Sequence, residues 1–143
     1  ILQSSNVKSV KVSEKNLNII KRAMEKVSLD EFGTGRNFRL GIKGVEMAGK
    51  TGTVQVRRIS TKERESEEGV IKNEDRIWEW RDHALYVGYA PMDKPRYAIS
   101  VIVEHGGSGS SKAGPIARDI MEATLTDDPT RFVPKNPIKK PLI

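Results

Sequence analysis

Apolar residues recur at helical spacing in two segments of the chain, one before residue 30 and one after residue 113. In both segments the spacing is three or four residues, which predicts a helix that packs on a core through one face. Ser13 suits the N-cap of the first helix, over 14–27, and Pro115 suits the start of the second. The predicted core positions are Leu17, Ile20, Met24 and Val27 in the first helix and Ile116, Ile120, Ala123 and Thr124 in the second.

Three stretches between these helices are rich in β-branched and alternating residues and predict strands. They begin at Thr51, at Ala84 and at Tyr97, and the turn 91–95 joins the last two as an antiparallel hairpin. We therefore expect an α+β fold, in which an antiparallel sheet of about three or more strands is packed by an N-terminal and a C-terminal helix. The intervening segments are predicted as a loop over 30–39, a solvated charged loop or short helix over 60–76, and a flexible connector over 106–111.

The composition limits the function classes. The 143 residues are 36% hydrophobic and 31% charged, which is enough for one modest core, and no apolar run approaches the length of a membrane span. The net charge of +6 is spread along the sequence without interleaved aromatics, so we expect no nucleic-acid partner. There is no cysteine, and His83 and His105 have no ligand spacing, so we expect neither a metal nor another cofactor.

The chain contains the pattern Gly44-x-x-x-x-Gly49-Lys50-Thr51, which matches a phosphate-binding loop. In such a loop the lysine and threonine open a helix whose N–H groups face the phosphates. Here the next residues are glycine, threonine, valine, glutamine and valine, which favour a strand. A small P-loop nucleotide hydrolase therefore stays as an alternative that the local sequence disfavours.

On a strand, Lys50-Thr51-Gly52 is the third motif of the serine penicillin-recognising enzymes. Its surroundings strengthen that match, and the chain resembles the class B penicillin-binding proteins, most closely their elongation-type branch. The resemblance covers roughly 14–126. The segments that carry it are 48–56, 81–91, 95–107 and 113–121.

The resemblance implies a site and a reaction. Lys50, the lysine of the lysine-threonine-glycine motif, would be the catalytic residue of this chain, and Lys50 and Thr51 would bind the terminal carboxylate of a D-Ala-D-Ala stem peptide or of a β-lactam. Gly52 would let the substrate approach the backbone, and the Thr53 N–H would donate to the oxyanion. The implied chemistry is acyl transfer through a serine ester, with no cofactor.

The nucleophilic serine of the family is not found in this sequence. Ser5-Asn6-Val7-Lys8 fits the S-x-x-K pattern, but Ser5 lies only 45 positions before Lys50 and in a segment with strand-like alternation. We therefore interpret it as a polar lead-in and expect the chain alone to be inactive. The start at Ile1 is typical of a position inside a longer protein.

These observations predict that residues 1–128 are the C-terminal part of a transpeptidase domain and that 129–143 form a proline-rich basic tail. The parent would face the periplasm from the bacterial inner membrane, and the rest of its transpeptidase domain would be this chain's main partner. A shortened sheet leaves an unpaired edge, so we also expect self-association of the chain alone. A non-catalytic basic binding module is the second alternative.

Overall fold

The computed structural model of the chain describes residues 11–67 and 69–127, and it has the predicted α+β architecture. The lead-in over 1–10 and the predicted tail over 129–143 lie outside the described residues. The helices and strands, in chain order, are α1 (Glu14–Leu29), β1 (Ala48–Val54), α2 (Thr61–Glu65), β2 (His83–Ala90), β3 (Tyr97–Val103) and α3 (Gly114–Asp127). Strand β1 thus begins before Thr51, and the α2 helix confirms a short exposed helix inside the charged loop.

The three strands form one antiparallel sheet in the order β1-β2-β3. Lys50 lies opposite Val87, and Val87 lies opposite Ser100, so one register runs across all three strands. The hairpin predicted for the second and third strands is confirmed. In the part of the chain that the structure describes, β1 and β3 are outer strands, each paired on one side only.

One face of the sheet carries the core and the other is open. On the covered face Tyr86 is fully buried, and its ring meets the ring of Phe38 edge-on, with centroids 5.2 Å apart. The open face carries Val87 and Ile102, whose exposed fractions are 45% and 63%. The core consists of Phe38, Leu40, Val45, Met47, Ala84, Tyr86, Ala90, Ala113, Ala117, Met121 and Leu125.

Helix α3 covers the sheet with a different face from the one predicted. Ile116 and Ile120 are exposed, whereas the buried positions are Gly114, Ala117, Met121 and Leu125. Close packing explains the difference, because a Cβ on Gly114 would lie 2.4 Å from the Phe38 ring. Small residues at the contact let the helix approach the core, and the larger isoleucines point away.

The predicted core stripe of α1 is also wrong in its first half. Leu17 and Ile20 are 43% and 53% exposed, and Ser28 is the only buried residue of the helix. A helix of this length is about 24 Å long, and only its C-terminal half reaches β1. The first half of its apolar stripe therefore has no covering partner among the described residues, whereas Met24 and Val27 in the second half are half-buried.

The glycine-serine segment over 106–111 is not a loose connector. Gly109–Ala113 forms a π-helical turn, and both of its end residues are buried. A Cβ on Gly109 would lie 2.4 Å from the carbonyl oxygens of Gly52 and Leu85. The turn thus packs its backbone directly against β1 and β2, which explains why a glycine is required there.

Candidate active site on strand β1

The predicted site residues Lys50, Thr51, Gly52 and Thr53 all lie on the outer strand β1. Because side chains alternate along a strand, Lys50 and Thr51 leave opposite faces of it. Lys50 is exposed, and its Nζ donates a hydrogen bond of 2.6 Å to the carbonyl oxygen of Thr51. The ammonium group therefore bends back over the strand and lies against the backbone carbonyl of its neighbour.

The Thr51 hydroxyl is held from the other side by a residue that the sequence interpretation did not select. Thr34 Oγ1 lies 2.9 Å from Thr51 Oγ1, across 17 positions of sequence. Thr34 belongs to the loop that follows α1, which was predicted only as a loop. No periodic or motif signal marks this residue, because the contact depends on how the loop folds back onto β1.

An open groove of about 350 Å³ runs beside these residues. Its charged groups are Lys26, Asp30 and Lys50, and Phe32 stands at its edge with 89% of its surface exposed. The lining consists of Ala23, Lys26, Val27, Asp30, Phe32, Gly33, Thr34 and Lys50. Two of its three charged groups are cations, which favours an anionic ligand group next to the strand.

The glycine that precedes Lys50 is required by packing. A Cβ on Gly49 would lie 2.0 Å from the Tyr86 Oη, and one on Gly88 would lie 2.7 Å from a carbon of the same ring. Burial raises the pKa of the Tyr86 phenol to about 12, although the Ser28 hydroxyl beside it opposes the shift. The strand that carries Lys50 and Thr51 thus packs against Tyr86, a buried and uncharged tyrosine.

This geometry contradicts the phosphate-loop alternative. Lys50 and Thr51 lie in the middle of a strand, and the nearest helix after them, α2, starts at Thr61. Their N–H groups therefore do not open a helix, which that motif needs for phosphate binding. Close packing with Tyr86 accounts for the glycine at position 49 without any role in phosphate binding.

The long segment between β1 and β2 is closed by a buried ion pair that the sequence did not indicate. Arg76 Nη1 lies 3.1 Å from Asp82 Oδ1, and the two side chains are 6% and 11% exposed. The same Asp82 oxygen accepts a hydrogen bond of 3.4 Å from the Val56 N–H. One carboxylate thus fastens both ends of the segment to the start of β2.

The two histidines lie together at this end of the sheet. The His105 N–H donates to His83 Nδ1 at 2.9 Å, and the Trp78 ring contacts the His105 ring at a tilt of 53°, with centroids 4.2 Å apart. His105 has a positive φ of 55°, which this hydrogen bond helps to hold. Within the described ranges, no group of three or more His, Asp or Glu side chains is arranged to hold a metal ion. The Ser5–Lys8 segment lies outside the described residues.

Fold and site together define part of a serine penicillin-recognising domain, with its lysine-threonine-glycine strand at the sheet edge. Residues 2–122 match the family described as penicillin binding protein transpeptidase domain. The chain belongs to this family.

Named relatives agree with that assignment. The chain is 38% identical over 105 residues to the peptidoglycan D,D-transpeptidase MrdA of Haemophilus influenzae. The aligned region covers 73% of this chain and 15% of the relative. It therefore spans about 15% of the length of that curated relative.

Solved structures of penicillin-binding protein 2 share the fold. The Pseudomonas aeruginosa protein, in complex with WCK 5153, matches with a TM-score of 0.62 and 28% identity, over 93% of this chain and 25% of that one. The Helicobacter pylori protein, in complex with MreC, matches with a TM-score of 0.63 and 29% identity, over 87% of this chain and 20% of that one. The resemblance to class B penicillin-binding proteins, inferred from the sequence, is thereby confirmed, with penicillin-binding protein 2 among the similar structures.

Proposed function

We propose that this chain forms one wall of the active site of a peptidoglycan D,D-transpeptidase that cross-links stem peptides during cell-wall elongation. The observation that carries the proposal is the placement of Lys50 and Thr51 as neighbours on an outer strand, with the Lys50 ammonium bonded to the Thr51 carbonyl oxygen and Lys50 lining an open groove. A cation and a hydroxyl donor are the groups that bind a carboxylate through charge-assisted hydrogen bonds. The ligand would be the terminal carboxylate of a D-Ala-D-Ala stem peptide or that of a β-lactam.

The chemistry of this class is acyl transfer in two steps. A serine oxygen attacks the carbonyl carbon of the penultimate D-alanine, the amide bond to the terminal D-alanine breaks, and the leaving amine takes the serine proton through a lysine base. The amine of a second stem peptide then attacks the ester, and its proton returns to the serine oxygen as the new amide forms. In both steps the backbone N–H of Thr53, an exposed residue of β1, would donate to the oxyanion.

The remaining groups come from the rest of the transpeptidase domain, which is this chain's principal partner in the proposal. That part supplies the nucleophilic serine. The exposed apolar positions of α1 and of the open sheet face are surfaces that a larger domain can cover. We place the parent at the periplasmic side of the inner membrane. Among the described residues, no helix is both long and apolar enough to cross a bilayer.

Acylation of the full-length parent by a fluorescent penicillin tests this function. Replacing Lys50 by methionine keeps much of the side-chain volume and removes the charge, so the second-order acylation rate should fall by about tenfold or more. Lys43→Met is the matched control, because Lys43 is not among the residues that line the groove. A Lys50→Met variant that is acylated at the wild-type rate would contradict the proposed site.

The isolated chain gives a second test. It should show no mass increase after incubation with a penicillin, because the serine that forms the ester is absent from it. A covalent adduct on this chain would locate a nucleophile within its own 143 residues. That result would contradict the proposal that the rest of the domain supplies the nucleophilic serine.

A further inference from the structure

Thr34 touches the proposed carboxylate-binding hydroxyl and has no part in the function as described so far. Its Oγ1 lies 2.9 Å from Thr51 Oγ1, and Thr34 also lines the groove beside Lys50. Thr34 is exposed and Thr51 is half-buried, so neither threonine is enclosed in the core. The contact is therefore placed where a ligand carboxylate would meet the strand.

The loop that carries Thr34 is fixed to the end of α1. The Gly35 N–H donates to the Val27 carbonyl at 2.8 Å, and the Gly33 N–H donates to the Asp30 carbonyl at 3.0 Å. A Cβ on Gly33 would lie 2.3 Å from the same Val27 oxygen, so the loop lies too close to the helix for any side chain there. Thr34 is thus presented between two glycines at one defined position.

A second anchor holds the far side of the loop. The Arg39 guanidinium donates to the carbonyl oxygens of Ser28 and Leu29, both at 2.9 Å. These two carbonyls belong to the last turn of α1, where backbone acceptors lack helical partners. Loop and helix end therefore form one unit, which fixes the distance between Thr34 and β1.

We propose that Thr34 is a positioning residue for Thr51 in carboxylate recognition, an inference that rests on the proposed function. Each threonine hydroxyl has one proton to donate and can also accept. If Thr51 donates its proton to the ligand carboxylate, the Thr34 hydroxyl must be the donor in the bond between them. Thr34 then fixes the orientation of the Thr51 hydroxyl and strengthens it as a donor, since linked hydrogen bonds polarise one another.

The test uses the full-length parent and compares two probes, benzylpenicillin and its carboxyl methyl ester. Thr34→Val keeps the branched shape of the side chain and removes the hydroxyl. The rate of acylation with the free acid should fall about threefold to tenfold, as expected for the loss of one hydrogen bond. Acylation by the ester should change much less, so selectivity for the carboxylate falls. Thr34→Ser should restore the selectivity, and Thr34→Ala should reproduce the loss if the valine variant folds poorly.

The Thr51→Val variant separates the two proposals. If Thr51→Val loses carboxylate selectivity and Thr34→Val keeps it, the positioning role is overturned while the proposed site stands. If Thr51→Val itself keeps the selectivity, the proposed site is overturned and the role of Thr34 with it. An equal loss with acid and ester in Thr34→Val would show a structural effect and would also overturn the positioning role. If Thr34 acts through Thr51, adding Thr34→Val to the Thr51→Val variant should cause no further loss of carboxylate selectivity.

Discussion

The hydroxyl end of Tyr86 occupies the space into which a side chain at position 49 would project, with only 2.0 Å between Oη and a Cβ built there. This contact decides between two interpretations of one sequence pattern. A glycine before lysine and threonine suggests phosphate binding when seen in sequence alone. In the fold, the same glycine lets a buried aromatic ring lie flat against the strand that carries Lys50.

Gly49→Ala should destabilise the protein by roughly 1–3 kcal/mol, because the added methyl group overpacks a site that cannot relax. The fall in melting temperature measures the effect. Gly41→Ala is the matched control, because its nearest neighbour is the Glu122 carboxylate at 3.2 Å, the end of a flexible side chain. Equal melting temperatures for the two variants would show that Tyr86 moves aside freely.

Tyr86 should also make stability fall in strongly alkaline solution. Burial raises its pKa to about 12 from an ordinary value of 10.0. Between these values the unfolded chain has lost the phenol proton and the folded protein keeps it, so the free energy of unfolding decreases as pH rises. The stabilising contribution of the Tyr86 phenol, on the order of 3 kcal/mol, is complete at a pH below the lower pKa. It is lost as the pH approaches the higher pKa.

Denaturation by urea over this pH range checks the sign. Tyr86→Phe keeps the ring and removes the titrating group, so its stability should fall less steeply than that of the wild type. Burial raises the pKa of Tyr89 as well, and this second tyrosine remains in both proteins as a common background. Parallel curves for the two proteins would rule out Tyr86 as the source of the alkaline loss.

Breaking the ion pair between Arg76 and Asp82 should cost about 3–5 kcal/mol, because removal of one partner leaves a buried charge without compensation. The expected result for Asp82→Asn is a lower melting temperature and faster proteolysis between β1 and β2. Asp119→Asn is the control, since the Arg118–Asp119 pair is far more exposed, at 32% and 64%, and should contribute little. Similar losses in both variants would mean that burial of the first pair has no energetic consequence.

The chain on its own should self-associate through its open sheet face and outer strands. Ile102 is 63% exposed on β3, whose outer edge is unpaired in the described part of the chain. Ile102→Lys should shift sedimentation towards the monomer, whereas Ile116→Lys, at a position on α3 that is 42% exposed, should leave it unchanged. A wild-type chain that is monomeric at high concentration would reject this prediction.

The sequence predicted the strands well because alternation and β-branching are local properties. It predicted the helices but chose the wrong buried positions, since periodicity shows that a face is apolar without showing what covers it. The burial of the start of α3, at Gly114, depends on Phe38, which is far away in sequence. Likewise, the motif identified Lys50 and Thr51, whereas Thr34 could be found only once the loop after α1 was seen against β1.

Asp82, directly before β2, accepts a hydrogen bond from the Val56 N–H shortly after β1 and forms an ion pair with Arg76. A segment fastened at both ends in this way can change in length between those two points without altering the strand register. Insertions and deletions in related lineages should therefore accumulate around the exposed helix α2, whose residues contribute nothing to the buried core. The same place is suited to a short epitope or fluorescent label that leaves Lys50 and Thr51 undisturbed.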